Sequence, residues 1–140
     1  DEANNVVIYV PPTRGYERSA TVVIQAHMDM VCEKTPESSH DFATDPIQVV
    51  RDGEWLRASD TTLGADNGIG LALALATAMD GDLVHPPLEL LFTAEEETGL
   101  TGAKRLKPDF VSGRMLLNLD SEEEGVFTIG CAGGPRSRAA

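Results

Sequence analysis

Three apolar runs in this chain stop on groups that are costly to bury together. Residues 21–26 (TVVIQA) run into His27, Met28 and Asp29. Residues 88–93 (LELLFT) run through Ala94 into Glu95, Glu96 and Glu97, and residues 115–119 (MLLNL) run into Asp120. Short, almost continuously apolar segments rich in β-branched residues read as strands buried on both faces, the pattern of a parallel sheet. At an effective dielectric of about 20, two like charges about 4 Å apart repel by roughly 4 kcal/mol. A chain that aims several carboxylates and an imidazole at one place is most simply neutralised by metal ions. The pattern therefore points to a metallohydrolase.

The rest of the chain supplies the frame. Residues 6–10 form a short apolar run closed by Pro11 and Pro12, a strand with a turn. Residues 33–46 are polar with two prolines and read as a loop. Residues 47–51 and 54–57 read as a hairpin around Asp52 and Gly53. Residues 67–80 (NGIGLALALATAMD) predict a helix, with Leu71, Leu73, Leu75 and Met79 set among helix-favouring alanines. It is apolar nearly all round, so burial on every side is expected, with Gly81 as its stop. Residues 99–106 predict a short helix before Pro108. Residues 115–119 predict a third buried strand and residues 126–129 a fourth. Strands alternating with helices imply an α/β fold with an at least partly parallel sheet, and ligands of such sheets gather beyond the carboxyl ends of the strands.

Composition narrows the function. The 140 residues suffice for one domain with a modest core, and 41% hydrophobic content excludes disorder by composition. The formal net charge of -12 argues against nucleic acid or an anionic membrane surface as partner, since both demand a basic face. No run of about 18 apolar residues is present to span a membrane. Cys32 and Cys131 stand in no CxxC or zinc-ribbon spacing and read as reduced thiols of a cytosolic protein. The opening DEANNVV has no secretion-signal pattern. It starts on Asp1 rather than Met, and the expectation is that upstream sequence has been removed.

Each cluster taken alone has a plain alternative. His27 and Asp29, two residues apart at a strand end, can put an imidazole ligand beside a carboxylate that fixes its tautomer, or can be a hydrogen-bonded structural pair. Asp66 sits where the Gly-rich segment TTLGADNGIG meets the predicted helix, and Asp66 or Asn67 can equally be a helix cap. A phosphate loop is excluded there, because neither Walker A nor GxGxxG fits. Glu95, Glu96 and Glu97 can be a solvated face, or can divide metal binding and proton transfer between them. Glu122 to Glu124 read as solvated.

Order and shared placement together are more specific. The stretches QAHMDMVCEK, HDFATDPIQ, GEWLRASDTTLGADNGIG, TAEEETGLTGA, LLNLDSEEEG and GCAGG resemble the M20 family of metallopeptidases, and within it the aminoacyl-histidine dipeptidases. The resemblance runs from about residue 21 to residue 134. It implies a three-layer zinc-exopeptidase-like domain with a mostly parallel central sheet. It implies two zinc ions, with cobalt or manganese as alternatives. His27 and Asp120 would bind one, Glu97 the other, and Asp66 would bridge both, in a loop with a cis peptide after the aspartate. Asp29 would orient His27, and Glu96 would be the general base for a metal-activated water. The family motif usually reads Asp-Glu-Glu where this chain has Glu95, Glu96 and Glu97, so these roles follow from register. The substrate would be a dipeptide of Xaa-His type, and longer members would pair as homodimers through an inserted lid domain.

The chain also departs from the family. The second metal normally takes a further histidine near the C-terminus, and here only His40 and His85 remain, both upstream of Asp120. The resemblance stops after Gly134, and the tail PRSRAA carries no large apolar residue. Residues 1–134 are accordingly read as a partial catalytic domain without its lid, and residues 135–140 as a non-matching tail. Hydrolysis by the chain alone is expected to be low or absent. The rival readings are another M20 amidohydrolase or aminoacylase, and a non-catalytic metal-binding or interaction module built on the same fold. An acidic α/β domain with capped helices and no metal is the plainest alternative.

Overall fold

In a computed structural model of the chain, residues 1–121, 123 and 125–130 are described. Cys131, the tail 135–140, Glu122 and Glu124 lie outside them. Six strands and two helices follow in the order β1 (Val6–Val10), β2 (Val22–His27), β3 (Val49–Asp52), β4 (Trp55–Ala58), α1 (Ala65–Met79), β5 (Leu88–Thr93), α2 (Thr101–Lys104) and β6 (Met115–Asn118). The main sheet has the order β1-β5-β2-β6; β1 runs antiparallel to β5, while β5, β2 and β6 are mutually parallel. This is the mixed, mostly parallel α/β sheet that the apolar runs predict. β3 and β4 form a separate hairpin turning at Gly53, whose φ of 63° suits a residue without Cβ.

The core lies between the sheet and α1. Ile24 and Ala26 of β2 and Leu88, Leu90 and Phe92 of β5 share one face by strand alternation, and Ala74 of α1 packs on them. Asn67, Gly70 and Ala74 are the buried positions of α1, three and four residues apart, so one stripe of the helix faces the sheet. Burial on every side, expected from the sequence, is not found. Ile69 is 61% and Met79 82% exposed, because α1 packs on one sheet face and among the described residues nothing covers its outer side.

Three further expectations are corrected. β6 is exposed along its whole length, because it pairs only with β2 and stands at the sheet edge. Residues 126–129 form no strand: Val126, Phe127 and Ile129 are exposed and have no strand partner among the described residues. The helix predicted over 99–106 shortens to the four residues of α2. No described helix is long and apolar enough to cross a membrane.

Because β5, β2 and β6 run the same way, their carboxyl ends meet on one side. His27 pairs in register with Thr93, and Gln25 with both Leu91 and Asn118. His27, the segment 95–97 and Asp120 therefore leave the sheet side by side. A polar ladder braces this end: the Asn118 amide donates to Gln25 Oε1, and Gln25 Nε2 donates to Thr93 Oγ1 at 3.1 Å.

Candidate metal centre

His27 is the most buried member of the site, at 1% exposure. Its Nδ1 lies 2.9 Å from the carbonyl oxygen of Asp29. A carbonyl only accepts, so Nδ1 carries the proton and Nε2 is left to face the carboxylates. Nε2 is 3.1 Å from Asp66 Oδ1 and 4.0 Å from Asp120 Oδ1. Burial, the largest single influence, disfavours the charged ring. The Asp66 hydrogen bond, the Asp120 charge and the Asp29 carbonyl outweigh it, and the His27 pKa is raised.

Asp66 reaches the site from the start of α1. Gly64, at φ 77°, is the N-cap, and no side chain caps the helix. The capping alternative for Asp66 and Asn67 therefore fails. Asp66 is itself non-helical (φ -86°, ψ 110°), which turns its carboxylate toward His27, and its peptide bond to Asn67 is cis. Behind it, Asn67 is buried with both amide atoms unbonded in hydrogen-bond geometry, although its proximity helps hold Asp120 ionised.

The glutamates arrive on the turn after β5. The backbone of Glu95 is left-handed, at φ 53°, and the Glu96 and Glu97 amides donate to Asp29 Oδ1 at 2.9 Å and Asp29 Oδ2 at 3.0 Å. Burial opposes the Asp29 charge, but these amides outweigh it and the pKa is lowered. Its carboxylate also stands 3.5 Å from His27 Nδ1, so one aspartate touches both the imidazole and the glutamate turn. Glu96 shifts the other way. Burial raises its pKa, and the charges of Asp120, Glu97 and Asp29 add to that against the opposing effect of His27. Burial and the neighbouring Asp66 likewise raise Asp120.

Ligand atoms of His27, Asp66 and Glu97 all lie within 4.8 Å of one another. The structure thus gathers one residue from each expected metal site, with Asp120 beside His27. A buried imidazole among clustered carboxylates is a donor set suited to a divalent cation. His40 and His85 are not part of it. His40 lies in the 33–46 loop with its ring edge against Phe42, and His85 precedes β5 at the opposite end of the sheet, its Nδ1 2.8 Å from the Pro86 carbonyl. Sequence reasoning missed Asn5, which is buried against the glutamate turn; a lone asparagine before a strand carries no signal.

A buried histidine and clustered acids at the carboxyl ends of parallel strands fit a metallopeptidase, and the chain belongs to peptidase family M28, which it matches over residues 5–136. Two of the proteins it matches are named as dipeptidases, one of them an aminoacylhistidine dipeptidase as the M20 resemblance has it, within the combined M28/M20 superfamily. It is 52% identical over 134 residues to the cytosol non-specific dipeptidase of Escherichia coli (strain K12), a match covering 96% of this chain and 28% of that protein. Among solved structures it resembles the aminoacylhistidine dipeptidase of Vibrio alginolyticus, with a TM-score of 0.85 and 50% identity over 89% of this chain and 26% of the other. Aminopeptidase PepT of Bacillus cereus ATCC 10987 is similar at a TM-score of 0.69 and 25% identity, covering 85% of this chain and 30% of that one. The chain thus spans little more than a quarter of the length of the dipeptidases it matches.

Proposed function

We propose that this chain carries part of the active site of a metal-dependent dipeptidase that cleaves small dipeptides of Xaa-His type in the cytoplasm. The observation that carries the reading is buried His27 with Nε2 turned to Asp66 and Asp120, and with Asp66 and Glu97 inside one ligand cluster. The relatives named for dipeptidase activity support the substrate class, and the name of the Escherichia coli protein supports the compartment.

His27, Asp66, Glu97 and Asp120 would hold zinc, two ions in a complete catalytic domain, with residues 1–134 as the part of that domain that supplies these ligands. When bound, the ions polarise the scissile carbonyl and lower the pKa of water from about 15.7 to about 7. Glu96 would accept the proton of the attacking water at its carboxylate and return it to the leaving amine nitrogen. Burial around Glu96 disfavours its charged form, the direction that brings a carboxylate toward the working range of such a group. Asp29 would hold the His27 ring and the glutamate turn in one frame. In longer members of the family, pairing through the lid domain would complete the assembly.

The test is a calorimetric zinc titration of the purified chain beside Asp66→Ala. Binding that is lost in the variant supports the shared centre, and the stoichiometry distinguishes one site from two. A folded chain that binds no zinc sinks the reading.

A further inference from the structure

Asn5 lies one residue before β1, whose Val6 pairs with Phe92, so the antiparallel register sets it beside the end of β5. It is 1% exposed. Its Oδ1 accepts the Ala94 amide at 3.1 Å, and its Nδ2 donates to the Gly102 carbonyl at 3.0 Å and to Asp1 Oδ2 at 3.0 Å. Ala94 and Gly102 are the two feet of the turn that carries Glu95, Glu96 and Glu97. The turn closes on itself through Gly102 N–H to Ala94 O, Thr101 N–H to Glu95 O and Leu100 N–H to Glu96 O, at 3.0, 2.9 and 2.8 Å. Asn5 spans its feet from the side away from His27, while Asp29 holds the Glu96 and Glu97 amides from the site side.

Such a bracket answers a need of the turn. Glu95, Gly99 and Leu100 have φ of 53°, 110° and 61°. Left-handed conformations at residues other than glycine persist only where the surroundings fix them. The junction is also tight: a Cβ on Gly102 would stand 2.2 Å from the Ala94 carbonyl oxygen and 2.6 Å from Asn5 Oδ1. A planar amide offers an acceptor and two donors on separate atoms and so satisfies both feet at once, whereas an ionised carboxylate has no donor for the Gly102 carbonyl.

We propose that Asn5 is a positioning residue of the metal centre: by bracketing Ala94 and Gly102 it sets where Glu97 meets His27 and Asp66. The inference rests on the dipeptidase reading of that centre. It is tested by titrating the full chain with Co2+, whose visible spectrum reports coordination, in wild type, Asn5→Ala, Glu97→Ala and the double variant, with His27→Ala as the control. Asn5→Ala should weaken Co2+ binding by about 10-fold or more and alter the spectrum, as loss of an outer support does. In the Glu97→Ala background, removing Asn5 should change affinity by less than about twofold, because the two residues act on one ligand. Equal losses in both backgrounds would mean that Asn5 acts only through general stability, and would overturn the proposal. So would wild-type affinity and spectrum in Asn5→Ala while His27→Ala abolishes binding, and that result leaves the metal reading standing. A folded wild-type chain that binds no Co2+ overturns both. If Asn5→Ala does not fold by circular dichroism, Asn5→Ser, which can still serve one foot, is read by the same criteria.

Discussion

His27 and Asp29 meet through a backbone group: Nδ1 is 2.9 Å from the Asp29 carbonyl oxygen, while the Asp29 carboxylate, 3.5 Å from the ring, is occupied by the Glu96 and Glu97 amides. The side chain therefore matters more to the glutamates than to the tautomer of the histidine. Asp29→Ala should strand two amides and destabilise the chain by about 1–3 kcal/mol. It should also weaken zinc by about 10- to 100-fold. Asp29→Asn, which keeps one acceptor oxygen, should fall between. Urea denaturation and zinc titration of the three chains check this ordering.

Metal affinity should depend on pH with a definite sign. The His27 pKa is raised because the ring, though buried, is hydrogen-bonded to Asp66 and faces Asp120. A metal must displace that proton, so affinity rises with pH until the raised pKa is passed and then levels. Below that point the slope should be about tenfold per pH unit for one displaced proton. In the metal-free chain the same shift stabilises the fold below the ordinary histidine pKa, and this contribution is lost as pH rises through the raised value. Competition titrations from pH 5.5 to 8.5 measure the slope, and a flat profile would remove His27 from the ligand set.

Glu89 is a buried carboxylate on β5, away from the metal centre. It accepts the Ser112 hydroxyl at 2.6 Å, the Ser112 amide at 2.8 Å and the Gly113 amide at 3.0 Å. Burial opposes its charge, but these donors outweigh burial and its pKa is lowered. A carboxyl depressed in the folded state lends stability above its unfolded pKa, about 4.3, and loses it as pH falls toward the folded value. Glu89→Gln should cost about 1–3 kcal/mol at neutral pH. The gap to wild type should narrow below about pH 4. Thermal melts across that range decide it.

Gly70 is needed for contact rather than for its backbone freedom. A Cβ there would fall 1.8 Å from Asn67 Oδ1 and 3.0 Å from the Leu119 carbonyl oxygen. Gly70→Ala should displace the Asn67 side chain and press on the Leu119 carbonyl, costing about 1–3 kcal/mol by overpacking. Gly68, whose added Cβ meets nothing, is the control: Gly68→Ala should match or exceed wild-type stability, since alanine favours the helix.

The strands that carry the site were legible because each is a compact apolar run with its functional group at one end. TVVIQA, LELLFT and MLLNL each became a strand, and the three run parallel, which aligns their ends. What failed was burial that depends on a neighbour. The leucines of α1 and the apolar residues of β6 have the composition of interior segments, yet a residue is interior only when something lies over it. Phe127 and Ile129 have strand-forming side chains but lack a partner edge. Within the site, the gathering of His27, Asp66 and Glu97 could be anticipated from shared placement and from the family resemblance, since each cluster alone had a plain alternative. The bracket of Asn5 could not, because it depends on the pairing of β1 with β5, which is written in no local pattern.

That pairing order also bears on how the protein is made. β2 hydrogen-bonds only to β5 and β6, both encoded far downstream, and β1 waits for β5 as well. During synthesis the segment TVVIQA leaves the ribosome before either of its partner strands, and it cannot pair with them until residues 88–93 have been translated. Domains dominated by such non-local pairings fold slowly and expose sticky segments meanwhile. The nascent chain should therefore depend on chaperones over that interval, and His27 can gain its ligand partners only at its close.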